Sequence, residues 1–297
     1  MHPVLFDRRL IALRRARAIA DAEPGIDFLV DLVAADIAER LSTIVRPFDT
    51  AVVIGGPTEA LSRAVRDSGK VGRVIRADLF VPGIGTDPAP QVVLDDEALP
   101  FADDSLDLVV SGLTLQWVND LPGALVQVRR ALKPDGLFLA SFVGGDSLTE
   151  LRQAWLAADS ELATGASPRV APFVDVRDLG GLLQRAGFAL PVTDQDRIPL
   201  RYATPFHLMR ELARMGASNP LVERRKSLTG KELLTRAAER YQAGFADPDG
   251  RVRATLTLVS ISGWKPHESQ QKPLQPGSAK MRLADALKTA EQPLDPT

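Results

Sequence analysis

Residues 92–142 read VVLDDEALPFADDSLDLVVSGLTLQWVNDLPGALVQVRRALKPDGLFLASF, and the fold is decided by this stretch. Residues 106–111 are a short apolar run between polar neighbours, 120–132 place apolar residues at helical spacing, and 137–142 are apolar again. The pattern predicts one strand-helix-strand unit. Asn119 or Asp120 suits a helix N-cap and Pro122 fits a first turn, while Lys133, Pro134, Asp135 and Gly136 supply a cation, a breaker and a glycine at the helix end.

The 297 residues, 45% of them hydrophobic, suffice for a packed core. A net charge of −2 creates no global field for nucleic acid, which is not an expected partner. With no cysteine, the chain has no disulfide, thiolate zinc site or cysteine nucleophile. No apolar run approaches the roughly 20 residues of a membrane-spanning helix, which leaves only peripheral membrane contact open. The start, MHPVLFDRRLIALRRARAIADAE, is rich in arginine, but it also carries Asp7, Asp21 and Glu23, acids that transit peptides avoid. It is therefore expected to belong to the folded protein.

Outward from the central unit, 5–22 reads as an amphipathic helix with Leu5, Leu10, Leu13 and Ala16 inside. Its arginines read as solvated, with a binding role for Arg14, Arg15 and Arg17 as the alternative. A second helix is expected over 27–44, with Leu29, Leu32, Val33, Ile37 and Leu41 on one face and Pro47 beyond its end. Residues 51–54 form a first strand, Gly55 and Gly56 its turn, and 59–67 the following helix. Residues 73–78 form a second strand that ends in Asp78, where one carboxylate can accept hydrogen bonds from two vicinal hydroxyls. A third strand over 91–94 leads into Asp95, Asp96 and Glu97, and Ser111, Gly112 and Leu113 end the fourth. Trp117 reads as a core residue.

Further on, 198–202 and 255–263 read as strands, and 205–215 and 230–243 as helices. Arg210, Arg214, Arg224, Arg225 and Lys226 make the segment between them basic, which suits either a solvated face or an acidic partner or carboxylate substrate. From 270 onward the apolar period is lost and a disordered tail is expected. His2, His207 and His267 are scattered, with no spacing suited to a metal site.

The order of DDEALPF, SLDLVVSGLTLQWV and LKPDG resembles the class I S-adenosylmethionine (SAM) dependent methyltransferases. The resemblance implies a Rossmann-like α/β fold with a doubly wound, mostly parallel sheet of seven strands. N-terminal helices 1–48 would pack on a methyltransferase-like domain over 49–265, with a helical insertion over about 204–245 and a tail over 266–297. It further implies SAM as cofactor, with Gly55 and Gly56 in the glycine loop and Asp78, followed by Leu79, on the ribose. Asp95 would meet the adenine amino group beside the Asp96 backbone, and Ser111 and Leu113 would border the methyl donor. The loop departs from that family at Val53, which replaces an acid, and at Pro57 and Glu59, which replace glycines.

FVGGDSLTELRQAW at 142–155 and SPRVAPFVDVRDLGGLLQRAGF at 167–188 are more specific, as are Gly263-Trp264-Lys265, His267-Glu268-Ser269 and Phe6-Asp7-Arg8. These resemble the mitochondrial assembly factors of respiratory complex I and their bacterial relatives, which are akin to malonyl-carrier methyltransferases. The resemblance implies a complex I subunit as substrate or client. It also implies a cytoplasmic place in a bacterium, or the mitochondrial matrix in a eukaryote. Three activities fit it: methyl transfer to a protein or small carboxylic substrate, the arginine side-chain hydroxylation attributed to the mitochondrial branch, and non-catalytic assembly. No residue of the chain reads as catalytic.

Overall fold

The computed structural model describes residues 4–21, 27–80, 89–162, 165, 167–271, 281, 285 and 288. Residues 1–266 form one compact unit and 267–297 a second, small one. The tail expected over 266–297 falls mostly outside the described residues, as does His2.

Seven strands form one sheet: β1 (Phe48–Gly55), β2 (Val71–Asp78), β3 (Gln91–Val93), β4 (Leu106–Gly112), β5 (Leu132–Gly144), β6 (Ala189–Tyr202) and β7 (Val252–Trp264). Their order is β3-β2-β1-β4-β5-β7-β6. The first five run parallel, β7 lies antiparallel to β5, and β6 antiparallel to β7. This is the doubly wound α/β class expected from the sequence.

Alternation along the buried strands builds two cores, one on each face. Val52, Ile54, Val109, Phe138, Ala140 and Phe142 face one side, where α4 (Leu121–Ala131) and α6 (Val176–Arg185) cover them. Ala51, Val53, Leu108, Val110, Leu137 and Leu139 face the other, under α2 (Phe28–Thr43) and α3 (Ala60–Asp67). Asp120 caps α4 by accepting from the Gly123 amide at 2.9 Å, and Pro122 sits in its first turn.

Helix α5 (Thr149–Glu161) packs with α7 (Pro205–Arg214) and α8 (Lys231–Phe245), and the last two lie between β6 and β7 in sequence. That is the helical insertion expected before the last strand. Here Tyr241 is fully buried and donates to the Arg253 carbonyl at 2.8 Å.

Three expectations need correction, the first being Leu32, placed on the apolar face of α2 but exposed. Strand β5 begins at Leu132, not 137: Leu106 pairs with Leu132 and, after a register shift, Leu108 pairs with Leu137. The Lys133–Gly136 turn signal is thus a bulge inside the strand, held by Lys133 on Asp107 at 3.0 Å and by backbone bonds of Asp135 and Gly136 to Lys265. The apolar face chosen for the first helix, α1 (Arg8–Ala20), is also wrong. Leu5 and Leu13 are exposed, whereas Ile11 and Arg15 are buried.

Phe138 is fully buried and stacks on Phe188 with ring centroids 5.6 Å apart. Phe138→Ala is expected to lower the unfolding free energy by about 3–5 kcal/mol with little change in denaturant slope, read from urea titration.

Candidate cofactor cleft

The cleft lies at the carboxyl ends of β2, β1 and β4, where the sheet is wound to both sides. Gly55 and Gly56 turn the chain off β1 with φ of +73° and +78°. A Cβ on Gly55 would lie 2.7 Å from the Gly112 carbonyl oxygen, to which the Gly56 amide donates at 3.0 Å. Arg76, buried on β2, donates to the carbonyls of Gly56 and Pro57, both at 3.2 Å, and so fixes the turn. Val53 is fully buried in the core under α2 and α3, so no carboxylate stands at the end of β1.

Asp78 ends β2 and is buried. Its Oδ1 accepts from the Leu79 amide at 2.7 Å, while its Oδ2 receives no hydrogen bond. Burial pushes its carboxyl above the ordinary range, opposed chiefly by the Arg15 guanidinium. Two residues beyond β3, Asp95 accepts from the Glu97 amide at 3.0 Å. Asp96 is held by the Thr114 hydroxyl at 2.6 Å. Its side chain is thereby committed within the protein, a role the sequence reading did not foresee. Glu97 accepts from Asn119, whose side-chain oxygen in turn accepts from the amides of Leu5 and Phe6 at 2.8 and 2.7 Å. Leu113 follows β4 with φ of +55°, and Ser111 is buried with no partner for its hydroxyl.

The acids face arginines of α1. Arg8 donates to Asp95 at 3.0 Å, contacts Asp96, lies 3.7 Å from Glu97 and donates to the Trp117 carbonyl at 3.0 Å. Arg15 donates to the Leu113 carbonyl and lies 3.9 Å from Asp78. Burial pushes the guanidinium of Arg15 down, with Asp78 opposing and Arg8 reinforcing. Solvated arginines were the favoured reading of this helix; the acids inside the cleft reverse it for Arg8 and Arg15. The spacing held the signal, since positions 8, 11 and 15 lie on one helical face. Thr114 and Arg76 gave no comparable sign.

A cavity of about 790 Å³ is lined by Arg15, Leu113, Gln116, Trp117, Trp155 and Tyr202, among others. Trp117 is buried, as read, and also forms cavity wall, edge-on to Phe6 with centroids 5.7 Å apart. Arg214, Arg224, Arg225 and Lys226 of the basic segment reach this cavity, and Arg224 pairs with Asp7 at 3.2 Å. His207 bonds Thr204 and His267 bonds Ser269. Among the described residues no group of three His, Cys, Asp or Glu side chains is placed to hold a metal ion. No described helix is long and apolar enough to cross a membrane.

Strand order, glycine turn and acidic strand ends define a class I methyltransferase fold. A methyltransferase-domain family model matches residues 52–140. Two solved structures share the fold: YcgJ from Bacillus subtilis, at TM-score 0.52 and 17% identity, covering 79% of this chain and 98% of that one; and a putative methyltransferase from Bacillus halodurans, at TM-score 0.53 and 15% identity, covering 78% and 98%.

The curated relatives narrow the class. Arginine-hydroxylase NDUFAF5, mitochondrial, of Rattus norvegicus is 38% identical over 287 residues, 95% of this chain and 83% of that protein, and its Homo sapiens counterpart gives the same figures. A malonyl-[acyl-carrier protein] O-methyltransferase of Halorhodospira halophila is 39% identical over 173 residues, 58% of this chain and 57% of that protein. The chain belongs to the methyltransferase-fold family of complex I assembly factors.

Because the Asp78 carboxyl is raised above its ordinary value, its charge opposes folding: its contribution is favourable when protonated and is lost as pH rises through the folded value. Asp78→Asn is therefore expected to raise the melting temperature at pH 7, with the gain shrinking as pH falls through the carboxylate range. Calorimetric melting of both proteins across pH 3.5–7 (a range of about 3.5 units chosen to span ordinary carboxylate titration) checks the sign. A net stabilising Asp78 charge would reverse it.

Proposed function

We propose that the chain is a SAM-dependent methyltransferase-fold enzyme that modifies a protein or a small carboxylic substrate and acts in complex I assembly. The carrying observation is Asp78: a buried carboxylate at the end of β2, beside the Gly55-Gly56 turn, with one oxygen lacking any donor. A buried acceptor without a partner is costly, and a ribose hydroxyl supplies the missing donor. On this reading Gly55 and Gly56 let the backbone approach the cofactor, Leu79 flanks the ribose, Asp95 and the Asp96 backbone take the adenine edge, and Ser111 and Leu113 border the donor end. When bound, SAM supplies an electrophilic methyl group for in-line displacement. The chain's task is then to align an acceptor in the cavity walled by Trp117 and to exclude water there.

The relatives' name favours a second reading, arginine hydroxylation. Its specific support here is that the acids of the cleft already grip guanidinium groups, those of Arg8 and Arg15. Hydroxylation needs dioxygen and two electrons from an external donor. A partner peptide gaining 14 mass units reports a methylene, and one gaining 16 an oxygen, as atomic arithmetic requires. A stable complex with an unmodified complex I subunit favours non-catalytic assembly.

Calorimetric titration with S-adenosylhomocysteine is expected to show binding that Asp78→Ala and Asp95→Ala each weaken by about tenfold or more, a loss of about 1.4 kcal/mol. No binding at millimolar ligand by the folded chain, with the cleft arginines Arg8 and Arg15 either intact or replaced, would sink the methyltransferase reading.

A further inference from the structure

We infer that α1 is a self-ligating gate: Arg15 and Arg8 hold the acids Asp78 and Asp95 that a nucleoside would use, so an adenosyl ligand enters only when α1 lifts. This rests on the reading of the cleft as an adenosyl site. Three observations carry it.

First, the guanidinium groups stand where the ligand contacts would be. Asp95 Oδ1 is taken by Arg8 at 3.0 Å. Arg15, buried, lines the 790 Å³ cavity, whereas Asp78 and Asp95 do not. Arg15 is thus the wall between the cavity and the ribose acid. Its second nitrogen is spent on the Leu113 carbonyl, at the strand end that would border the donor.

Second, the closed arrangement is imperfect. Arg15 Nη1 and Asp78 Oδ2 are both buried, and neither makes a hydrogen bond. Arg15 Nη1 faces the other oxygen of Asp78, Oδ1, at 3.9 Å, in ion-pair reach but beyond hydrogen-bond distance. Two desolvated charges so incompletely satisfied hold the closed state weakly, and a ligand hydroxyl that donates to Asp78 competes with it on favourable terms.

Third, the cap of α1 and the side next to the two arginines are tied to the insertion. The Asp7 amide donates to the Pro220 carbonyl at 2.9 Å, and its carboxylate pairs with Arg224 at 3.2 Å. Arg14 donates to the carbonyls of Ser218 and Asn219 at 2.8 and 2.7 Å. Whatever shifts residues 216–224 therefore shifts the two arginines. Access to the cleft is coupled to the surface between β6 and β7, where an acceptor would dock.

If the gate is closed most of the time, apparent affinity is the intrinsic affinity scaled by the open fraction. The test titrates the full chain, Arg15→Ala and Arg8→Ala with S-adenosylhomocysteine by calorimetry, and follows hydrogen exchange of amides 8–20 in the unaltered chain with and without ligand. The gate predicts binding about tenfold tighter in either variant and faster exchange across α1 when ligand is added. Unchanged or weaker binding by the variants, or protection of α1 by ligand, overturns the gate and leaves the adenosyl reading intact, with the arginines as direct contacts. No binding by the unaltered chain or by either folded variant overturns both. Should Arg15→Ala fail to fold by circular dichroism, Arg8→Ala and the exchange measurement decide.

Discussion

Where β1 meets β4, the Gly112 carbonyl accepts from the Gly56 amide and lies 2.7 Å from where a Cβ on Gly55 would stand. The fourth strand is crowded in the same way, since a Cβ on Gly112 would meet the Leu61 side chain at 2.5 Å. Two glycines on adjacent strands thus let the sheet and α3 close together without side chains between them. At this point the chain leaves β1 to one side and β4 to the other, and the crevice between the two directions becomes the cleft. The acids can converge on it because β2 and β3 extend the same parallel sheet. Position follows from sheet order, and the order requires this close approach.

The convergence has an electrostatic consequence. Asp78, Asp95, Asp96 and Glu97 would repel one another in a desolvated crevice, and α1 answers with Arg8 and Arg15. The compensation is uneven. Arg8 touches three acids at the rim, whereas Arg15 reaches a deeper carboxylate only at ion-pair distance. Burial weakens both charged forms in the inner pair, pushing Asp78 up and Arg15 down. Such a pair is poor material for stability, since apolar packing of the same volume would serve the fold as well or better. Its presence points to use of the cleft, as expected where local rules of burial are broken at a functional site.

Much of the sheet was legible because its strands are buried on both faces and its helices on one, which prints distinct periods on the sequence. Residues 106–142 gave strand, helix and strand in the right places. The early start of β5 escaped because Pro134 and Asp135 speak locally for a break, while pairing of Leu106 with Leu132 and of Gly136 with Lys265 overrides them. The face of α1 escaped for a related reason. Placing arginines outside assumes an apolar interior, but this helix covers acids, so its charged side turns inward around Ile11. In the site, the ends of β2 and β3 could be read from position alone, and Asp78 and Asp95 stand there. The partners that hold the cleft could not: Thr114 is 18 residues from Asp96 and Arg76 is 20 from Gly56. A hydroxyl or a guanidinium carries no local mark of so distant a partner.

The departures at 53, 57 and 59 look different once their neighbours are known. Val53 is a core residue under α2 and α3, so the fold gains apolar contact where related enzymes place a carboxylate. Pro57 keeps a carbonyl that Arg76 uses, and Glu59 turns along α3 to pair with Arg63. The turn after β1 is thus shaped by the protein's own contacts. These changes fall on the side of the cleft nearest β1, whereas Asp78 ends β2 and Asp95 lies just beyond β3. On the adenosyl reading, the nucleoside half of the site is intact and the amino-acid half is rebuilt. Affinity would then rest chiefly on ribose and adenine contacts, the ones α1 covers. The helix that hides these acids therefore exerts more control over this cleft than it would over one that also gripped the amino-acid end.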